Sequence, residues 1–166
     1  KKATAEQPVN GFFYESLAWV QMCRGKFPEA AVAAKIATLM YNKKGESSVY
    51  PLLIAHFAYL EADDQRNAQA SLNYALRNKP PNAWPPPLTD YPAGSIAATE
   101  SIAHAPNSVQ ETEAHTYIGL KLRIVGVDDA AKKHLEWVAR NGDSSVFEYT
   151  LARALHLQDS LALLVP

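Results

Sequence analysis

The sequence predicts an all-α fold, a right-handed helical solenoid of antiparallel helix hairpins closed by a C-terminal capping helix. Three observations carry that expectation. First, two distant stretches share the same punctuation: Leu17-Ala18 precedes Gly25 and Ala30, and Ile118-Gly119 precedes Gly126 and Ala131. In each, Gly follows the small residue by seven positions, and Ala follows Gly by five. The glycines lie 101 residues apart, 126 minus 25, close to three steps of a ~34-residue helix–turn–helix unit, and such a period marks a repeat architecture. Second, apolar residues recur at helical spacing before and after these glycines. Third, Ala30, Ala33, Ala34 and Ala37 make a small-residue face, which lets antiparallel helices approach closely.

Residues 1–9 are polar and aperiodic and read as a flexible N-terminal segment. A repeat domain is expected over 10–158, with hairpins at about 10–42, 48–79, a degenerate 84–105 and 110–141, a cap at 144–158, and an apolar tail at 159–166. In the first hairpin Phe13, Leu17, Val20 and Cys23 form a helical stripe. Gly25 suits the turn, since it reaches positive φ at no Cβ cost. Pro28 falls in the first turn of the next helix, where proline is tolerated. Residues 42–48 make a loop. The second hairpin pairs 52–62 with 65–78, turning at Asp63-Asp64. Ala68, Leu72, Ala75 and Leu76 face inward, and Lys79-Pro80 stops the helix. Either Ala55 or His56 holds the small-residue slot of its first helix, so that register is open.

Residues 80–94 break the pattern. Pro81, Pro85, Pro86, Pro87 and Pro92 forbid a long helix there. The stretch reads as a stiff connection anchored by Trp84, Leu88 and Tyr91, with a docking site for a polyproline reader as the alternative. Ser95 is placed to cap a helix through Ile96, Thr99, Ile102 and Ala103, ending before Pro106. The third hairpin is therefore degenerate. The last pairs 111–125, with Ala114, Tyr117, Ile118 and Leu122 inward, with 128–140, carrying Ala131, Leu135 and Val138. After Asn141-Gly142-Asp143, Ser144 or Ser145 caps a final helix through Phe147, Leu151, Ala154 and Leu155. That helix covers the end of the stack, as terminal units of solenoids must.

Composition sets the outer bounds. The 166 residues are 48% hydrophobic and 20% charged, an ordinary folding composition with enough chain for a real core. A net charge of -1 argues against nucleic acid and anionic membrane as partners. The longest apolar stretch, 52–60, is broken by His56 and is too short to span a bilayer, so no direct membrane insertion is expected. The expected setting is soluble, cytoplasmic or periplasmic. The single Cys23 excludes an internal disulfide and a cysteine zinc cluster. The sequence opens Lys1-Lys2 without Met, which reads as a processed product or a piece of a longer chain. The apolar run LALLV at 161–165 calls for a covering surface, and motivates a homo-oligomer through the C-terminal tail.

The span TEAHTYIGLKLRIVGVDDAAKKHLEWVARNGDSSVFEYTLA resembles the closing hairpin and cap of bacterial tetratricopeptide-repeat proteins. The W-P-x-P run at Trp84 to Pro87, with Gly94 beyond it, is similar to the segment that precedes them. The resemblance covers 84–155, and looser repeats cover 10–80. The family includes lipoprotein adaptors of the NlpI type, which gather envelope enzymes; no lipidated cysteine stands at the start of this sequence. It departs from the family pattern in the shortened third unit and in Gln21, where an aromatic residue is missing after Ala18. What the resemblance implies is a concave surface built from the first helix of each hairpin. Its slots fall on Phe12, Glu15, Trp19 and Met22, then Tyr50, Leu53 and Phe57, then Thr116, Leu120 and Arg123. The aromatic residues among them suit a binding hot spot; the alternative is that Phe12, Tyr50 and Phe57 pack between hairpins.

Residue chemistry points away from catalysis. Glu111 and His115 stand four apart on one helix face, but one such pair lacks the third ligand of a catalytic zinc. A metal-dependent hydrolase is thus a remote alternative. His56 reads as a hydrogen-bonded interior histidine, and His104 and His156 lie near helix ends, where cations suit the macrodipole. No G-x-S-x-G, H-E-x-x-H or Gly-rich phosphate loop occurs. No catalytic, cofactor-binding or metal-binding residue is assigned, and no cofactor is expected. The expected function is a non-enzymatic scaffold or adaptor that binds a protein or peptide on its concave face. The alternative is a structural or regulatory domain of a longer chain, making intramolecular or homo-oligomeric contacts.

Overall fold

The computed structural model describes residues 10–162, which form nine helices and no strand among the described residues. The all-α expectation holds. In order they are α1 (Gly11–Cys23), α2 (Phe27–Lys44), α3 (Val49–Glu61), α4 (Gln65–Arg77), α5 (Pro86–Asp90), α6 (Ala98–Ala103), α7 (Ser108–Ile124), α8 (Asp128–Asn141) and α9 (Phe147–Ala162). The expected flexible segment 1–9 and the end of the expected tail, 163–166, lie outside the described residues.

Helix ends follow local chemistry. Asn10, Asp64 and Asn107 cap α1, α4 and α7, their side-chain oxygens accepting from the backbone N–H groups of Phe12, Asn67 and Gln110 at 3.3, 3.1 and 3.1 Å. Each bond satisfies a donor that the first helical turn leaves orphaned. The Asn107 cap starts α7 at Ser108 rather than at 111. Pro86 and Pro87 open α5, so the proline-rich stretch holds one short helical turn with Pro87, Leu88 and Thr89 buried. Ser95 caps nothing; its N–H donates to the Asp90 carbonyl, and α6 begins at Ala98. Before α9, Asp143 Oδ1 accepts from both the N–H and the hydroxyl of Ser145, and the Asp143 N–H donates to Thr112 Oγ1. That loop is thereby tied to α7.

Small residues decide which helix faces meet. α1 is apolar on several sides, and the stripe of Phe13 and Val20 expected to face inward points to solvent, 59% and 48% exposed. The buried face instead carries Gly11, Ala18, Trp19 and Met22. Ala18 joins the buried alanines of α2, Ala30, Ala33 and Ala34, in one core cluster, and this small-on-small contact brings the two axes close. The corresponding residue of α7 is Gly119. A Cβ there would stand 2.7 Å from Leu135 Cδ2 of α8, so the position holds glycine for want of space. Gly25 and Gly126 are different. An added Cβ at either would meet nothing within 4 Å, but their φ angles of 67° and 77° are left-handed, which costs other residues. In α3 both Ala55 and His56 are buried.

Successive helices pack in sequence from α1 to α4 and from α7 to α9, with α5 bridging α4 and α7. Across the stack, α3 meets α7, and α9 meets both α7 and α1. In an open solenoid each unit touches only its neighbours; here the first and last described helices touch. α9 also runs past the expected end of the cap. Asp159, expected to begin the tail, sits inside it and accepts from Arg123 Nη1 at 2.7 Å.

Gly126→Ala is expected to cost about 1–2 kcal/mol through backbone strain alone. Gly119→Val should cost more, through collision with Leu135, and Leu135→Ala should recover part of the loss. Urea unfolding monitored by circular dichroism measures both; an unchanged midpoint for Gly126→Ala would contradict the strain argument.

Candidate functional site

Four helices leave a cleft of about 390 Å³ between them, lined by Phe12, Glu15 and Trp19 of α1, Tyr50 of α3, Glu113 of α7, Ser145 and Val146 of the preceding loop, and Phe147 and Glu148 of α9. The spacing of Phe12, Glu15 and Trp19 places them on one face of α1. α9 starts at Phe147, which sets Phe147 and Glu148 at the rim as the chain turns into the helix. Phe147 stacks on Trp19 with ring centroids 6.2 Å apart and planes 13° apart, and tilts against Phe12 at 6.2 Å. Beneath them Tyr117 lies 6.4 Å from Trp19 and stacks on Phe57 at 5.6 Å. Phe12, 56% exposed, is the open aromatic edge.

Three carboxylates from three helices converge here, and each is held by neutral donors. Glu15 accepts from the Tyr41 hydroxyl at 2.6 Å. Glu113 accepts from the Trp84 indole N–H at 2.6 Å and the Tyr50 hydroxyl at 3.0 Å. Glu148 accepts from the Tyr117 hydroxyl at 3.1 Å. None of the described lining residues is cationic. Burial therefore dominates and raises all three above the ordinary carboxylate range, with the hydrogen bonds pulling back only in part. Glu148 is pushed up to about 8, first by burial and then by the negative charge of Glu113. At neutral pH Glu148 mostly carries its proton. Burial first, and then the neighbouring Glu113 and Glu148, raise the Tyr50 and Tyr117 hydroxyls.

The residues expected to line a concave surface divide sharply. Phe12, Glu15 and Tyr50 do line the cleft, together with the edge of Trp19. Trp19, Met22, Leu53, Phe57, Thr116 and Leu120 are 3% exposed or less; they are interior. Thr116 donates to the Thr112 and Glu148 carbonyls, and Arg123 is engaged with Asp159. The face expected to stay open is thus largely filled by α9 and by contact between α3 and α7. Sequence reasoning missed Glu113, Phe147 and Glu148. The signal for Glu113 and Glu148 was present: each is a glutamate amid the apolar and small residues of an inward helix face, and such a charge is buried only with partners.

The histidines are placed as follows. His56 is interior, and its Nδ1–H donates to the Ala68 carbonyl at 2.9 Å. His115 does not pair with Glu111: it stacks on Trp137, 3.9 Å between centroids, with its Nδ1 2.9 Å from that of His134. Among the described residues no group of three or more His, Cys, Asp or Glu is arranged to hold a metal ion. No helix among them is long and apolar enough to cross a membrane.

The chain was compared with known proteins, and no family model, no curated protein and no solved structure matches it.

A raised carboxyl pKa makes the folded state bind a proton that the unfolded state has already released. Stability should therefore fall as pH rises from about 4.5, the unfolded value, to about 8, the folded value of Glu148, by up to about 1.4 kcal/mol per pH unit for that one group. Glu148→Gln, which mimics the protonated acid, is expected to flatten this slope in thermal melts between pH 5 and 8. A variant slope equal to that of the wild type would show that Glu148 ionises freely in the fold.

Proposed function

We propose that the chain is a non-enzymatic protein–protein interaction module of the tetratricopeptide-repeat type, and that it receives a basic segment of a partner protein in the cleft between α1, α3, α7 and α9. The observation that carries this reading is the lining of that cleft: the acidic side chains of Glu15, Glu113 and Glu148, aromatic rings of Phe12, Trp19, Tyr50 and Phe147, and no cation among the described lining residues. Complementary charge steers encounter and selects partners. Exposed aromatic area at Phe12 supplies the apolar contact from which hot spots are made, and an aromatic rim favours a lysine or arginine side chain through its ring faces as well. The tetratricopeptide part of the reading is supported by matched positions in two helix pairs. Ala18 and Gly119 stand where helices approach, Gly25 and Gly126 turn with positive φ, and Ala30 and Ala131 are buried at the start of the second helix.

A structural or regulatory role is the second reading. It is favoured by Phe13 and Val20 of α1 and Val32 of α2, which are 59%, 48% and 59% exposed on faces that a neighbouring copy or domain would cover.

Phe12→Ala/Glu15→Gln is expected to abolish capture of the partner from a lysate of the source cell while leaving the circular dichroism spectrum unchanged. Retained capture by that folded variant would remove the cleft from the account. Trp19 and Phe57 are unsuited to this test, since both are core residues whose truncation unfolds before it informs. If the second reading holds, sedimentation velocity will show association that Phe13→Asp/Val20→Asp abolishes.

A further inference from the structure

We propose that His115 of α7 and His134 of α8 form a two-imidazole site for a divalent transition-metal ion that favours right-angled coordination, Cu(II) or Ni(II). The pair lies apart from the acidic cleft, on the hairpin that closes the repeat stack. Its two Nδ1 atoms are 2.9 Å apart. With metal–nitrogen bonds of about 2.0–2.1 Å, two ligands at that separation subtend close to 90° at the metal, whereas a tetrahedral site needs about 3.3 Å. Tetragonal nitrogen and oxygen coordination is the preference of Cu(II) and Ni(II), and imidazole is a good ligand for both.

The site is held from behind. The His115 ring lies against Trp137, 3.9 Å between centroids and 9° between planes, which fixes one ligand before any ion arrives, and ligands fixed by packing need less ordering on binding. The two histidine rings have centroids 5.0 Å apart and planes inclined at 47°; His115 keeps its place on Trp137, and His134 is the ring that turns about its terminal bond to direct its lone pair at the ion. Both rings are half-buried, which leaves a side open to water for the remaining positions. Burial also holds both imidazoles below the usual histidine range, His115 to about 4 with the neighbouring His134 adding to the effect. Both are therefore neutral at pH 7, and protons compete little with a metal.

Proton bookkeeping is simple. In the metal-free pair, one Nδ1–H donates to the other Nδ1. Coordination needs a lone pair on both, so the shared proton leaves that Nδ1 and the same ring ends protonated at Nε2. Both rings are then neutral Nε2–H tautomers, and no net proton is released. One hydrogen bond is exchanged for two metal–nitrogen bonds.

The test is titration of the full chain with Cu(II), and separately with Ni(II), followed by calorimetry and by tryptophan fluorescence, since a copper ion beside the His115–Trp137 stack quenches that indole. Wild type and the control His104→Gln are expected to take up one equivalent with quenching. His134→Gln and His115→Gln, each checked for unchanged circular dichroism, should lose both the equivalent and the quenching. Failure of the wild type to bind a stoichiometric equivalent, or binding by His134→Gln equal to wild type, overturns the proposal. Zinc in place of copper should bind more weakly; equal affinity would contradict the right-angled geometry.

Discussion

The Trp19 ring lies flat against Phe147, and this contact joins the first described helix to the last. Tyr117 touches Trp19 on one side and Phe57 on the other, so α1, α3, α7 and α9 share one aromatic core. Each such pair contributes about 0.5–1.5 kcal/mol beyond its buried area. The geometric consequence is larger than the energy. A helical stack whose inner face is filled by its own last helix cannot present that face as a long groove, and what remains open is a short cleft at the rim.

The carboxylates of that cleft depend on the same packing. Glu113 and Glu148 are 6% and 4% exposed, and burial of this degree is tolerated because each accepts from hydroxyl or indole donors on other elements. These bonds also tie separate elements together: Trp84, in the stretch leading to α5, and Tyr50, on α3, both donate to Glu113 on α7. The proline-rich stretch is thereby anchored at its indole, with Lys79 paired to Asp90 at 2.8 Å and Lys121 donating to the Tyr91 carbonyl at 2.9 Å. Stability and site chemistry are coupled, since the acidic groups that line the cleft also hold the helices around it.

Much of the helical plan was legible because it rests on local signals. Gly25 and Gly126 mark turns whose backbone is left-handed, Pro28 marks a first turn, and the alanines of α2 mark a close approach. The break between α4 and α7, where only the short α5 and α6 stand, could be read from its prolines. The inward face of α1 could not. Phe13, Leu17 and Val20 make as good a stripe as Ala18, Trp19 and Met22, and the choice between them is made by α2, whose buried alanines share one core cluster with Ala18, Trp19 and Met22. Trp19, Met22, Leu53, Phe57, Thr116 and Leu120, expected on the concave face, are interior for a related reason. Helical period identifies Leu53, Phe57 and Leu120 as inward, but whether inward means groove or core depends on how tightly the stack turns, a property of contacts between residues more than a hundred positions apart, such as Trp19 and Phe147. Glu113 and Glu148 were passed over because a glutamate on a helix is read as solvated until its donors are known, and Trp84, Tyr50 and Tyr117 lie at unrelated places in the sequence.

The closure of α9 onto α1 is the claim on which the fold and the cleft both stand. The most direct test is nuclear Overhauser contact between the Trp19 indole and the Phe147 ring in the full chain with selectively labelled aromatics. The account predicts strong cross-peaks between the two rings, together with contacts from Tyr117 to both. Absence of Trp19–Phe147 contact, with rapid exchange of the Trp19 indole proton, would contradict it and restore the inner faces of α1, α3 and α7 as an open groove.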